Sequence, residues 1–398
     1  MRIGIDCRTI LNPKHGERAG VGHYSYFLVK SLLALDQKNE YVLFFDYRYQ
    51  NTKEFKQPNV TIRTFPFSQY KRFLPFSYSH LLITAYLNRE KLDLYHSPAN
   101  VIPYTYSRPA IVTVHDLAIY KHPEWFPRGQ KFSVSILVPR SLSRARRIIA
   151  VSEATKKDIV KVFTIPAEKI KVIHEGVVQE KNYVLKAKLQ EKYSLSGDYL
   201  LYVGTLEARK NIPKLVAAFA QLAKEKRFSK YTLVLAGHRG WKSDEVFTAI
   251  NKLKLGNRVA YLNYVPHEDK IGLIRNASVF VFPTLYEGFG LPVLEALSLG
   301  VPVISSSVAS IPEVTGEAAL LINPNSETAL AEAMRRILNS TQLRQRYSQA
   351  GVEQAKKFSW RKCAEETLKV YREEYSQIQK GKKKLPAKKK SSAKTKKR

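Results

Sequence analysis

The stretch VFVFPTLYEGFGLPVLEA, residues 279–296, passes from an apolar run through a glycine loop into a helical pattern. Four consecutive apolar residues, Val279 to Phe282, suit a strand buried on both faces of a parallel sheet. Pro292 suits the first position of the helix that follows, which is expected to run to about Leu299. The loop Gly288-Phe289-Gly290-Leu291 therefore lies at a helix N-terminus, where free amides and the helix dipole attract phosphate. Glu287 stands in that loop and Glu295 in the first helical turn, so the two carboxylates can meet different parts of one elongated ligand. A plainer reading stays open: an ordinary turn, with Glu295 complementing the helix dipole.

Outward from this stretch the same alternation recurs. Short apolar runs, each followed by a helical period, fall at Leu200 to Val203, Leu233 to Ala236, Val259 to Leu262 and Val303 to Ser305. The first half repeats the pattern at Arg2 to Ile5, Tyr41 to Phe45, Val60 to Ile62, Leu94 to His96, Ile111 to Val114 and Ile148 to Val151. The fold class is therefore α/β, two Rossmann-like doubly wound domains. Residues 1–180 and 181–379 are the expected domains, the second ending in three helices interrupted near Ser340 and at Phe358-Ser359-Trp360. Residues 380–398 hold ten Lys, one Arg and no acid, a composition that cannot bury apolar area against chain entropy, and are expected to be disordered.

In an open parallel sheet, ligands bind beyond the carboxyl ends of the strands. Arg209 and Lys210 follow the run ending at Val203 and can neutralise a diphosphate, or can simply solvate a loop. His115 ends the run Val112-Thr113-Val114; a histidine there is as readily structural as catalytic. Gly16, Gly20 and Gly22 precede a helix beginning near His23, a weaker candidate anion loop. The chain has no Asp-x-Asp pair, no GxxxxGK[ST] loop and no GxSxG elbow, and its histidines and two cysteines are scattered. No metal or other cofactor is expected, and phosphate charge must be met by side chains and amides.

Composition sets the outer bounds. At 398 residues and 44% hydrophobic content the chain can bury real cores in two or three domains. The net charge of +32 falls to about +21 without the tail, so body and tail both attract polyanions. Cys7 and Cys363 lie too far apart in sequence to suggest a disulfide framework, and MRIGIDCRTI has no leader-like pattern. The expectation is a cytoplasmic protein that meets a membrane only peripherally, on its inner face.

Taken together, these motifs resemble the retaining glycosyltransferases of family 4, which have the glycosyltransferase-B fold of two Rossmann domains facing a cleft. Glu287-(x7)-Glu295 is similar to the family's E-x7-E motif, YVGTLEARKN to its donor-phosphate segment, AGVGHY to its N-terminal glycine loop and VHDL to its strand-end histidine. The span from HSPANVIPYTY to AVSEATKKDIV resembles the mannosyltransferase-like branch. The resemblance implies that Glu287 holds donor-sugar hydroxyls, Glu295 the ribose, Lys210 the diphosphate and His115 the region of the reacting sugar. Gly288, Phe289, Gly290 and Leu291 would cradle the donor. Two positions depart from the pattern. Thr205 stands where an Arg is common, which makes Arg209 the candidate second cation, and Glu175 stands where Asn is commoner.

The expected activity is hexosyl transfer from a nucleotide-sugar, with GDP-mannose the first guess by branch, onto a glycan or lipid-linked acceptor in bacterial surface polysaccharide or glycolipid assembly. Front-face transfer, in which the leaving phosphate takes the acceptor's proton, suits a chain with no unambiguous nucleophile. The alternatives are a two-Rossmann sugar-nucleotide epimerase and a nucleic-acid-binding protein using its basic tail. No aromatic residue interleaves the tail lysines, so no specific nucleic acid is expected. Residues 63–89 mix Arg63, Lys71, Arg72 and Arg89 with Phe65, Phe67, Tyr70, Phe73, Phe76, Tyr78 and Tyr86, a combination suited to a membrane interface or lipid-linked acceptor, or to ordinary packing.

Overall fold

The computed structural model describes residues 1–11, 20–65, 76–127, 133–180 and 182–384. Gly16, Phe67, Tyr70, Lys71, Arg72, Phe73, the side chains of Phe76 and Tyr78, and the chain beyond Lys384 fall outside the described residues. Among those described, the first sheet has β1 (Arg2–Asp6), β2 (Glu40–Asp46), β3 (Val60–Phe65), β4 (Leu94–Ser97), β5 (Ala110–Val114), β6 (Arg147–Ala150) and β7 (Ile170–Val172). The second has β8 (Asp198–Val203), β9 (Tyr231–Ala236), β10 (Val259–Asn263), β11 (Val279–Phe282), β12 (Val303–Ser306) and β13 (Leu320–Ile322). The pairings are parallel. Strand orders are β3-β2-β1-β4-β5-β6-β7 and β10-β9-β8-β11-β12-β13.

Helices α1 (Val21–Leu35), α2 (Phe76–Arg89), α3 (Ala118–Lys121), α4 (Val138–Arg144) and α5 (Glu153–Phe163) join the first set of strands. The second set carries α6 (Lys186–Tyr193), α7 (Ile212–Ala223), α8 (Asp244–Lys252), α9 (His267–Arg275), α10 (Leu291–Ser298), α11 (Ile311–Thr315), α12 (Glu327–Asn339), α13 (Thr341–Ala355) and α14 (Trp360–Lys384). The break expected near Ser340 is a cap: its hydroxyl accepts the Leu343 N–H at 3.1 Å and so starts α13.

Strand order reverses between β1 and β4 and again between β8 and β11. A doubly wound sheet opens its crevice at such switch points. Segments 204–211 and 283–290 are consequently neighbours, though residues 204–278 separate β8 from β11.

Helix α14 does not stay with the second domain. Phe27 of α1 stacks on Trp360 at 5.5 Å, Tyr371 Oη lies 2.6 Å from His96 Nδ1, and Glu374 receives Arg146 at 3.1 Å and Arg147 at 2.9 Å. One apolar cluster thus runs from β1 and α1 through α14 into the second sheet. The helix also continues to Lys384, past Gln379 where disorder was expected to begin. Lysine is a good helix former, and cations suit a helix C-terminus. Among the described residues no helix is long and apolar enough to cross a membrane.

Candidate active site

The loop after β8 and the loop after β11 are stitched together by hydrogen bonds to backbone carbonyls. Leu285 N–H donates to Arg209 O at 2.8 Å, Thr284 Oγ1 to the same oxygen at 3.1 Å, and Asn211 Nδ2 to Pro283 O at 3.1 Å. This fixes four charges in one cluster. Lys210 Nζ donates to Glu287 Oε1, Arg209 lies 3.2 Å from Glu287 Oε2, and Arg209 also pairs with Glu207 at 2.8 Å. Lys210 and Glu287 are both buried.

Burial alone would raise the Glu287 carboxyl, but Lys210 and Arg209 outweigh it and hold the group below the ordinary glutamate value. Burial and the neighbouring Arg209 hold Lys210 below the ordinary lysine range in spite of Glu287. An anionic group brought to these cations would strengthen their charge and compete with Glu287 for them. Such competition would free the carboxylate to accept hydroxyl protons.

Helix α10 begins at Leu291, so Glu295 is its fifth residue and not in its first turn. Dipole complementation is therefore a weak account of it, because that effect fades within the first turn. Glu295 pairs with Lys270 at 2.7 Å, and Lys270, with His23 beyond it, overcomes burial to hold the carboxyl down. It lines a pocket with His23, Glu180, His267, Leu291 and Leu299. Gly20 caps α1 with φ at 55° and Gly22 is buried in the first turn, which sets His23 at that pocket. Glu287, Arg209 and Lys210 do not line it.

Gly290 caps α10 with φ at 102°, a conformation that favours glycine, and a Cβ there would also meet Ile311 at 2.8 Å. The Phe289 ring packs 6.0 Å from His174 and 5.8 Å from Phe358, and its carbonyl accepts Ser310 Oγ at 2.9 Å, so the side chain is a packing group. Leu291 lines the Glu295 pocket.

His115 and the Glu287 loop meet across the domains. A Cβ on Gly288 would lie 1.7 Å from the His115 carbonyl oxygen. Gly288 O accepts Ser152 Oγ at 2.6 Å and Thr155 Oγ1 at 3.2 Å, at the start of α5. Three flanking contacts complete the closure. Tyr286 Oη donates to Asp158 at 2.6 Å, and Glu313 accepts the Glu153 N–H at 2.9 Å and pairs with His174 at 2.6 Å.

A model of Glycosyltransferase Family 4 matches residues 19–181, and one of Glycosyl transferases group 1 matches residues 186–354. Over 369 residues the chain is 34% identical to O-antigen chain mannosyltransferase B of Escherichia coli, covering 89% of this chain and 96% of that protein. The chain belongs to glycosyltransferase family 4. It is also 28% identical over 286 residues to O-antigen chain mannosyltransferase RfbU of Salmonella typhimurium, covering 70% of this chain and 75% of that one. Sucrose-phosphate synthase from Thermosynechococcus elongatus shares the fold with a TM-score of 0.73 at 21% identity, over 94% of this chain and 99% of that chain. The glycosyltransferase-B fold follows, and the protein is a hexosyl-transferring enzyme of this family.

Several residues of this glycosyltransferase's cleft carry no strong local signal. Ser152 could have been read as a helix cap from its place before α5, but not as a donor to Gly288. Lys270, Glu313 and Asp158 are ordinary charged helix residues until the fold gives each its partner. Among the described residues no group of three or more His, Cys, Asp or Glu is placed to hold a metal ion.

Proposed function

We propose that this glycosyltransferase moves mannose from GDP-mannose to a glycan or lipid-linked acceptor in bacterial surface-polysaccharide assembly. The likeness to O-antigen chain mannosyltransferase B over nearly the full length of both chains carries this reading. Lys210 and Arg209 take the diphosphate, Glu287 the sugar hydroxyls, Glu295 the ribose, the backbone of Gly288 to Leu291 the donor's flank, and His115 the neighbourhood of the reacting carbon.

Breaking the bond from sugar C1 to phosphate leaves positive charge on the sugar and negative charge on the departing diphosphate. Cations already aimed at that charge stabilise the transition state more than the ground state. The leaving oxygen takes the acceptor's proton on the same face, and no metal takes part. A membrane-borne acceptor fits the surface formed by α2, the loop at residues 101–109, the turn at residues 134–137 and α4. Leu81, Leu82, Tyr104 and Ile136 are exposed there, with exposed Arg108 and Arg144 beside them and Arg140 over the Tyr104 ring at 4.2 Å.

The test is a transfer assay with GDP-mannose, GDP-fucose, UDP-glucose and ADP-glucose, with thermal shifts for each free nucleotide and with EDTA in a parallel arm. GDP-mannose alone should support transfer, undiminished by chelation. Preference for a UDP-sugar overturns the donor assignment, and loss of activity with EDTA restored by Mn²⁺ overturns the metal-free one.

A further inference from the structure

His115 is gripped from several elements of the first domain. Its backbone N–H donates to Asn100 Oδ1 at 3.1 Å, and Tyr24 of α1 meets the ring edge-on at 4.7 Å. Nε2 lies 2.8 Å from the Pro98 carbonyl oxygen and Nδ1 lies 3.2 Å from Glu175 Oε1. A carbonyl oxygen only accepts, so the first contact requires a proton on Nε2. An ionised carboxylate also only accepts, so the second requires a proton on Nδ1 as well, unless the carboxyl itself keeps it.

Glu175 is 4% exposed, and among the described residues His115 Nδ1 is the hydrogen-bond partner its side chain has. A buried carboxylate without a cation is costly, and so is a buried imidazolium without an anion. Together they offset each other. Three titratable groups beside the pair keep a fixed protonation state through neutral pH. Burial and the nearby His115 push His96 down to about 3, while burial pushes Tyr24 and Cys363 up. On its far side Glu175 borders a space shared with Lys357, Lys362, Glu366, Cys363 and His174, the last of which pairs with Glu313 at 2.6 Å.

We propose that Glu175 is a positioning residue that keeps both His115 ring nitrogens donating, so that His115 accepts no proton during transfer and instead holds the cleft wall in place. Glu175 belongs to the segment that leads out of the first domain. The next residue, Gly176, packs so closely on α14 that a Cβ would lie 2.1 Å from Trp360 N. The His115 carbonyl, in turn, abuts Gly288 of the second domain. The ion pair therefore ties the inter-domain connection to the contact that closes the cleft. This deepens the assignment of His115 to the reacting region and rests on that reading only for its kinetic arm.

Two measurements test it on the full-length chain. With ¹⁵N-histidine labelling and His115→Gln to assign the signal, long-range proton–nitrogen spectra of the free protein should show both His115 nitrogens protonated at the assay pH. Glu175→Gln, whose amide can donate to Nδ1, should convert the ring to the Nε2-protonated neutral form. In the kinetic arm, Glu175→Gln should lower kcat about 10- to 100-fold with the donor KM within threefold, and that loss should vanish in a His115→Ala background. An unprotonated Nδ1 in the parent, or Glu175→Gln turnover equal to the parent's, overturns the proposal. If no donor tested is turned over, the spectrum alone decides it. If Glu175→Gln does not fold, the parent's spectrum still does.

Discussion

Gly288→Ala isolates domain closure from the folding of either domain. The added Cβ would sit 1.7 Å from the His115 carbonyl oxygen and 2.9 Å from Asp116 Cβ, whereas ordinary contact begins at 3.4 Å. Backbone on one side and a strand-end carbonyl on the other leave no flexible side chain to yield, so the two surfaces must part by about 1.7 Å. That carries the Ser152 Oγ contact to Gly288 O from 2.6 Å to beyond hydrogen-bonding range, and the Thr155 contact from 3.2 Å likewise. Two hydrogen bonds at about 0.5–1.5 kcal/mol each amount to about 1–3 kcal/mol of closure. This corresponds to roughly a 5- to 150-fold smaller closed population. The assay pairs steady-state kinetics with an inter-domain distance from small-angle scattering or a label pair. Turnover should fall within that range, the distance should lengthen and the melting temperature should hardly move. Ser152→Ala is a less clean probe, because that hydroxyl also caps α5 through Thr155 N at 3.0 Å. If Gly288→Ala keeps both the parent's distance and at least half its turnover, this contact is not the working closure.

The two motif glutamates should fail differently. Glu295→Gln should weaken the free nucleoside diphosphate and the intact donor alike, by about 1.5–3 kcal/mol for a charge-assisted bond, whereas Glu287→Gln should spare the diphosphate and depress turnover; equal losses in calorimetry would refute the division. Glu313 is held below the ordinary glutamate value of 4.5 by His174 and the Glu153 and Ala154 amides, against burial. A depressed value stabilises above the unfolded value and loses that contribution as pH falls through the folded one, so the inter-domain distance should stay constant near neutrality and lengthen below about pH 4.5. Glu313→Gln should be looser than the parent near neutrality, converge with it at low pH and lack that step; an identical pH profile would contradict the role. Truncation after Lys384 should lower binding to anionic vesicles, each cation near the surface contributing at most about 1 kcal/mol, and leave turnover of a soluble acceptor analogue unchanged; unchanged vesicle affinity, or preferential RNA binding by the intact chain, would refute this.

What could be read in advance, and what could not, divides along the range of the forces involved. A strand buried on both faces must be apolar along its length, so Leu200 to Val203 and Val279 to Phe282 declare themselves locally. β7 and β13 did not, because each is a three-residue strand at the end of its sheet, and in β7 a surface lysine interrupts the apolar pattern. The E-x7-E loop was legible for the same local reason: a strand, two glycines and a proline constrain one short path. Strand order is not local, and it makes Arg209 and Lys210 neighbours of Glu287; the contacts that set α14 on the first domain, such as Trp360 on Phe27 and Tyr371 on His96, are no more local. The partners that give the cleft its electrostatics lie far apart in sequence: Glu175 with His115, Lys270 with Glu295, Ser152 with Gly288. Each of those side chains satisfies its own segment's pattern equally well as a solvated charge or a cap. A motif therefore marks where chemistry can occur, while the protonation and spacing that decide how it occurs depend on residues that only the closed fold brings into contact.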